Sequence, residues 1–290
     1  APGRSYWQMW VEYDINARLD VPTSTVTGRE TIILHNHSPE SLSSIVLRLE
    51  QNLFSANVAR ATSVSEITEG MKVTRILLNG QPVSLMPPAQ MSPNAPVTEP
   101  MALGLNTTVA RIALPGAASI QPQATAKLEI DWSFRVPNAS NGRGLRMGRW
   151  ADSVFQVAQW YPRVAVYDDL RGWDTEPYLG PSEFYNNFGR FNVKIDVPRG
   201  WLVGATGMLQ NPNDVLTPAM RERLARVMQS DSVVRIVTEA ERGRPNRAGA
   251  RAVWHFTADT VNDFAWAASD RYVWDAIKAN IPQKGAVPVH

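Results

Sequence analysis

The sequence predicts an all-β fold of packed antiparallel sheets, sandwich-like, with one short helical insertion near 217–230. Three observations carry this. Apolar and polar residues alternate with period two in segment after segment, the signature of strands with one packed and one wet face. Asn79-Gly80 follows an apolar run, and Asn-Gly accepts the positive φ angles of a tight hairpin turn. Helical periodicity is confined to one place.

In chain order, Val11, Tyr13, Ile15, Ala17 and Leu19 alternate with Glu12, Asp14, Asn16, Arg18 and Asp20. A polar turn over 22–25 leads into a β-branched run, Glu30–His35, and Ile45, Leu47 and Leu49 alternate again. Arg75-Ile76-Leu77-Leu78 leads into the Asn79-Gly80 turn. The stretch 87–100 holds five prolines and reads as a surface excursion, because strand patterns resume beyond it. The clearest strand is Lys127–Val136, with Leu128, Ile130, Trp132, Phe134 and Val136 on one face. Phe191, Val193, Ile195 and Val197 repeat the pattern, and Trp201–Ala205, Val233–Val237 and Ala252–Thr257 read as further strands. Thr217-Pro218 has the form of a helix cap and first helical residue, after which Met220, Leu224, Val227 and Met228 share a face.

Composition narrows the function. The 290 residues are 44% hydrophobic and 19% charged, as in a folded globular chain. A net charge of +2 without a basic tract gives no case for a nucleic-acid partner. No run approaches the roughly 18 apolar residues of a membrane helix. The absence of cysteine removes disulfides, thiolate metal sites and thiol nucleophiles. The Ala1-Pro2-Gly3 start suggests processing, by removal of a signal peptide or a tag.

Four histidines bound the acid–base and metal chemistry: His35, His37, His255 and His290. His35 and His37 would share one strand face, a two-point metal site without an evident third ligand, or simply polar strand-end residues. His255 lies between Trp254 and Phe256 and reads as a sheet residue. None of the H-E-x-x-H, G-x-S-x-G, Walker A or G-x-G-x-x-G motifs occurs.

The segment Gln159–Gly180, QWYPRVAVYDDLRGWDTEPYLG, concentrates acids and aromatics without regular periodicity. Asp168, Asp169, Asp174 and Glu176 could include a catalytic carboxylate pair, or be turn formers and partners of Arg163 and Arg171. Trp150, Trp160, Trp173, Tyr161, Tyr167 and Tyr178 could form a stacking platform for sugar or peptide, or anchor long loops. Asn36, Asn106 and Asn138 match the N-glycosylation pattern, a weak signal.

The order of several segments is informative: Tyr13-Asp14-Ile15, Thr27-Gly28-Arg29-Glu30, Asn36-His37-Ser38-Pro39, Leu47-Arg48-Leu49-Glu50-Gln51-Asn52, Gln159–Gly180, Phe191–Pro198, Asp263–Ser269 and Tyr272–Asp275. In this order they resemble the amino-terminal domain of the M1 family of zinc metallopeptidases, the gluzincin aminopeptidases, and bacterial, exported members most. The resemblance spans nearly the whole chain. It implies a saddle of antiparallel sheets over 1–280, with 281–290 as the start of a connection to a catalytic domain that this chain lacks.

It also implies that zinc belongs to that missing domain, with no cofactor and no catalytic residue in this chain, which would be inactive alone. The partners would be the catalytic domain and a peptide substrate at a shared cleft, in a periplasmic or extracellular location. In the family, a Gln and an acidic or amide residue of this domain help hold the substrate's α-amino group. Gln159 matches the first of these, and Tyr161 stands where the second is expected. Trp173–Pro177 resembles a structural turn of the family. The alternative is a free-standing β-sandwich module that binds carbohydrate or protein with the aromatic loop.

Overall fold

The computed structural model describes residues 6–85, 97–140, 146–151, 153–182, 185–243 and 250–290. The Ala1-Pro2-Gly3 start and most of the proline-rich excursion lie outside these.

The fold is all-β, built mostly from antiparallel pairs. Among the described residues, the largest sheet runs in the order Met208–Leu209, Arg251–Val261, Gly189–Pro198, Trp10–Asp20, Thr25–His35, Thr125–Arg135, Met71–Leu78 and Gln81–Pro82. Its alternation is that of the sequence. Leu128, Ile130, Trp132 and Phe134 are buried, as are Val11, Tyr13, Ile15, Ala17 and Leu19. The opposite face carries charge ladders, with Asp131 held between Arg29 and Arg75 at 2.8 Å each. Each large aliphatic side chain buried in this way contributes about 1.5–3 kcal/mol, and the ladders contribute far less.

One pairing in this large sheet is not antiparallel. Trp10–Asp20 runs parallel to Gly189–Pro198, setting Tyr13 opposite Phe191 with rings stacked at 4.8 Å. Period two is the same for either strand direction, so the alternation could not reveal this. The turn at 79–80 is as expected: Asn79 and Gly80 have φ of 50° and 81°, and Leu78 pairs with Gln81. Gly28 has a different role. A Cβ there would lie 2.2 Å from Cζ2 of Trp132 on the neighbouring strand, so the glycine makes room for the indole.

Four smaller sheets complete the body among the described residues, one of them a two-stranded ribbon of Tyr167–Asp168 with Gly172–Trp173. A second joins Arg163–Val164, Ser44–Arg48, Val109–Ala113, Met101–Leu103 and Ser84–Leu85; another joins Gly148–Trp150, Val154–Val157, Trp266–Ser269 and Leu202–Ala205. Ser44, Ile45, Val46 and Leu47 are all buried, so that strand is covered on both faces rather than one. The last sheet joins Val234–Val237 to a carboxy-terminal hairpin, Trp274–Ile281 with Gly285–Val289. This hairpin spans position 280, the boundary that the family resemblance implies.

The helical insertion forms as predicted. The Thr217 hydroxyl accepts the Met220 backbone N–H at 3.2 Å and caps the helix Pro218–Arg226, which ends in a tight turn, Val227–Gln229. Met220 and Val227 are buried while Met228 is 42% exposed. No helix among the described residues is long and apolar enough to cross a membrane.

Candidate functional site

The start of the Gln159–Gly180 segment is core. Trp160 is fully buried, edge-on to Trp132 of the large sheet at 5.7 Å and to Trp266 at 5.8 Å. Its indole N–H donates to the Phe264 carbonyl at 2.8 Å. Tyr161 lies between Trp160, Tyr13 and Phe191. A fully enclosed ring has no face left for a sugar or peptide to stack on.

Gln159 takes the turn into this core with φ of 53°, unusual for a residue with a side chain. Its carbonyl accepts Gln51 Nε2–H at 2.7 Å, which fixes the backbone. Its side-chain amide meets the Tyr178 hydroxyl at 3.3 Å. That hydroxyl has one proton, given to the Gly180 carbonyl at 2.6 Å, so it offers Gln159 a lone pair. The amide orientation that suits the pair therefore turns Nε2–H toward Tyr178, and the other amide atom has no hydrogen-bond partner among the described residues.

Beneath the segment runs a chain of buried charges. Arg163, 5% exposed, contacts the Glu50 carboxylate and reaches Asp263 Oδ2 at 3.5 Å. Glu50 is also 3.6 Å from Arg48, which pairs with Asp174 at 3.2 Å and donates to the Glu176 carbonyl at 2.6 Å. At the other end, Asp263 Oδ1 accepts the Tyr161 hydroxyl at 2.9 Å and the Phe264 N–H at 2.8 Å. Burial raises the Tyr161 pKa well above the usual phenol value, and the Asp263 charge adds to this. Burial alone would lower the Arg163 pKa, but Glu50 and Asp263 outweigh it and hold the guanidinium charged.

A polar cavity of about 410 Å³ opens over this chain, lined by Arg48, Arg163, Asp174, Glu176, Tyr178 and Tyr185 among others. The carboxylates at its mouth are turn formers and arginine partners. Asp168 accepts the backbone N–H groups of Leu170 and Arg171 at 3.0 and 2.7 Å. Asp174 accepts the Glu176 N–H at 3.3 Å as well as pairing with Arg48. The arginine that holds Asp174 is Arg48, not the nearby Arg163 or Arg171.

The histidines are engaged elsewhere. His35 Nε2 pairs with Glu12 at 2.8 Å, and His37 Nδ1 donates to the Gln8 carbonyl at 2.9 Å. His255 meets Asn192 on the wet face of the large sheet. No group of three His, Asp or Glu side chains among the described residues is placed to hold a metal ion. Zinc does not fit the described residues. Asn36 is fully buried and donates to three backbone carbonyls, which closes it to glycosylation.

Sequence reasoning missed the roles of Arg48, Glu50 and Asp263, although all three lie in segments that stand out. The available signal was a charged pair inside an apolar run, Leu47-Arg48-Leu49-Glu50, where a charge must find a buried partner. Glu30 was missed too. It is fully buried between Ile15 and Ile130 on the neighbouring strands, neither oxygen has a hydrogen-bond partner among the described residues, and burial pushes its pKa well above the carboxylate range.

No known protein-family profile and no curated protein matches the chain. Solved structures do. An M1 zinc metallopeptidase mutant from Deinococcus radiodurans bound to a Tyr-Ser-Ala substrate matches with a TM-score of 0.50 at 13% identity, over 97% of this chain and 46% of that one. The same mutant without that substrate in its description gives 0.48 at 13% identity with the same coverage. A two-domain M1 zinc metallopeptidase mutant bound to L-tryptophan gives 0.47 at 14%, over 99% and 48%. The chain thus spans about half the length of the proteins it resembles in fold.

Proposed function

We propose that this chain is the amino-terminal β domain of an M1-type zinc metallopeptidase, packing on a catalytic domain and forming one wall of the cleft near the substrate's amino terminus. The observation that carries this reading is the fold shared over 97% of the chain with less than half of a peptidase. The ordered motifs point the same way. Zinc and the hydrolytic chemistry would reside in the other domain, and this chain's work is to bind and orient.

In this reading Gln159 and Tyr161 belong to the wall in different ways. Gln159 acts at the polar cavity through its contact with Tyr178, which lines it. Tyr161 is a buried post whose hydroxyl ties the segment to Asp263. The Asp174 and Glu176 carboxylates at the mouth suit a substrate ammonium.

The test compares the 290-residue chain with a longer product of the same reading frame, each given zinc and an aminoacyl nitroanilide. The chain alone should show no turnover and the longer product should. Gln159→Leu in the longer product should raise KM about two- to tenfold, the scale of one lost neutral hydrogen bond that positions Tyr178. Turnover by the chain alone, or a downstream sequence without a zinc motif, would overturn the reading.

A further inference from the structure

Another cavity, of about 520 Å³, lies where the helical insertion and the carboxy-terminal hairpin meet the sheets. Its floor is Trp254 and Phe256 of the strand Arg251–Val261, both buried and stacked at 8° with ring centres 6.4 Å apart. Trp274 closes one side. Met228 from the insertion and Met208 from the edge of the large sheet also line it, and methionine side chains pack well against aromatic rings.

Two features define what could enter. No lining side chain is an acid, a lysine or an arginine, and burial lowers the pKa of the one histidine, His290. Tyr272 also lines the cavity, and its hydroxyl has no hydrogen-bond partner among the described residues. The volume falls within the roughly 300–1,000 Å³ of small-molecule sites. The rim residues Met208, Met228 and Val273 are 58%, 42% and 40% exposed, so the mouth is open. A flat docking patch would offer area without this depth.

We propose that this cavity binds a neutral small molecule with an aromatic body and one polar group that pairs with the Tyr272 hydroxyl. An ionic ligand would leave water for walls whose side chains offer it no counter-charge. The aromatic floor and the thioethers favour a flat ring system over an ion or a sugar. This inference stands apart from the peptidase reading, since it uses none of the same residues.

The test is a fluorescence titration of the 290-residue chain with N-phenyl-1-naphthylamine, a neutral diarylamine. The comparison is 1-anilinonaphthalene-8-sulfonate, its anionic relative. Saturable binding of the neutral probe, at least about tenfold tighter than the anion, is expected from walls without acidic, lysine or arginine side chains. Gly204 lines the cavity, a Cβ there would meet nothing within 4 Å, and its φ is not in the left-handed region. Gly204→Phe should therefore fill the space, weaken the neutral probe at least about tenfold and leave the melting temperature unchanged. Tyr272→Phe should weaken it about two- to tenfold.

Should Gly204→Phe fail to fold, Met228→Lys at the exposed rim takes its place, with the same loss expected. Absence of saturation, equal affinity for both probes, or binding untouched by the folded variants overturns the proposal. So does a concentration-dependent dimer that Gly204→Phe dissociates, which would assign the face to a second copy of the chain.

Discussion

Replacing Arg163 by Met tests whether the buried charge chain holds the Gln159–Pro162 segment in place. Arg163 is 5% exposed and lies between Glu50, 3% exposed, and Asp263. Methionine keeps much of the stem's packing and removes the charge. Glu50 then retains only Arg48 at 3.6 Å, and Tyr161 and Asp263 lose the cation beside them. At an effective dielectric of about 20, one pair at that separation is worth about 4–5 kcal/mol before desolvation. Breaking a buried pair from one side costs about 3–5 kcal/mol, because the remaining charge stays buried.

At roughly 2–4 °C per kcal/mol, Arg163→Met should lower Tm by roughly 6–20 °C. Fluorescence of the fully buried Trp160 during urea unfolding reads the same segment. The decisive comparison is a double-mutant cycle. Glu50→Gln added to Arg163→Met should cost less than the sum of the two, with a coupling of at least about 1.5 kcal/mol. A single-variant loss below about 1 kcal/mol together with simple additivity would falsify the view that this chain of charges supports the segment.

Three further outcomes are expected. Because burial raises the Glu30 pKa in the fold, the stability this group provides is complete below its unfolded pKa of about 4.3 and is lost as pH rises through the raised value. Glu30→Gln should thus gain on the parent chain as pH rises above about 4.5, and parallel Tm profiles would refute this. Asp131 is held at about 2 by Arg75 against the effect of burial, with Arg29 assisting, so its contribution is present above pH 4 and lost as pH falls toward 2. Asp131→Asn should cost about 1 kcal/mol at pH 7, screened as it is by solvent, and nothing at pH 2, both read from urea midpoints. Gly28→Ala should cost about 1–3 kcal/mol by driving a Cβ into the Trp132 indole, with altered near-ultraviolet circular dichroism as its signature.

Much of the fold was legible because the large sheet obeys a local rule. A strand with one wet face records its burial in its own alternation, as 127–136 and 11–19 do, and a turn such as Asn79-Gly80 needs its own residue types. Partner choice is a different kind of information. Nothing in Tyr13-Asp14-Ile15 says that it lies parallel to a strand some 180 residues later, since the pairing depends on the path of the intervening chain. The carboxy-terminal hairpin was missed for a related reason. Its strands are largely half-buried or exposed, so no alternation marks them.

The candidate site was legible as a place, with a stacking surface and a set of loop anchors as open alternatives for its aromatics. Its acids and aromatics singled out Gln159–Gly180, yet residue type alone cannot tell an aromatic that awaits a ligand from one that fills a core. What decides between them is the set of long-range partners: Phe264 takes the Trp160 N–H, Asp263 takes the Tyr161 hydroxyl, and Gln51 fixes the Gln159 carbonyl. Each comes from a segment roughly 100 positions away. The one local trace was Arg48 and Glu50 inside an apolar run, and their burial follows from it, because charges covered on both sides must answer one another. A segment tied down at so many points serves best as a rigid wall. Its fixed geometry would help a neighbouring domain only where the polar cavity meets solvent, at Asp174, Glu176 and Tyr178. Function on this reading belongs to the later half of the segment, and the opening Gln-Trp-Tyr-Pro is what keeps that half still.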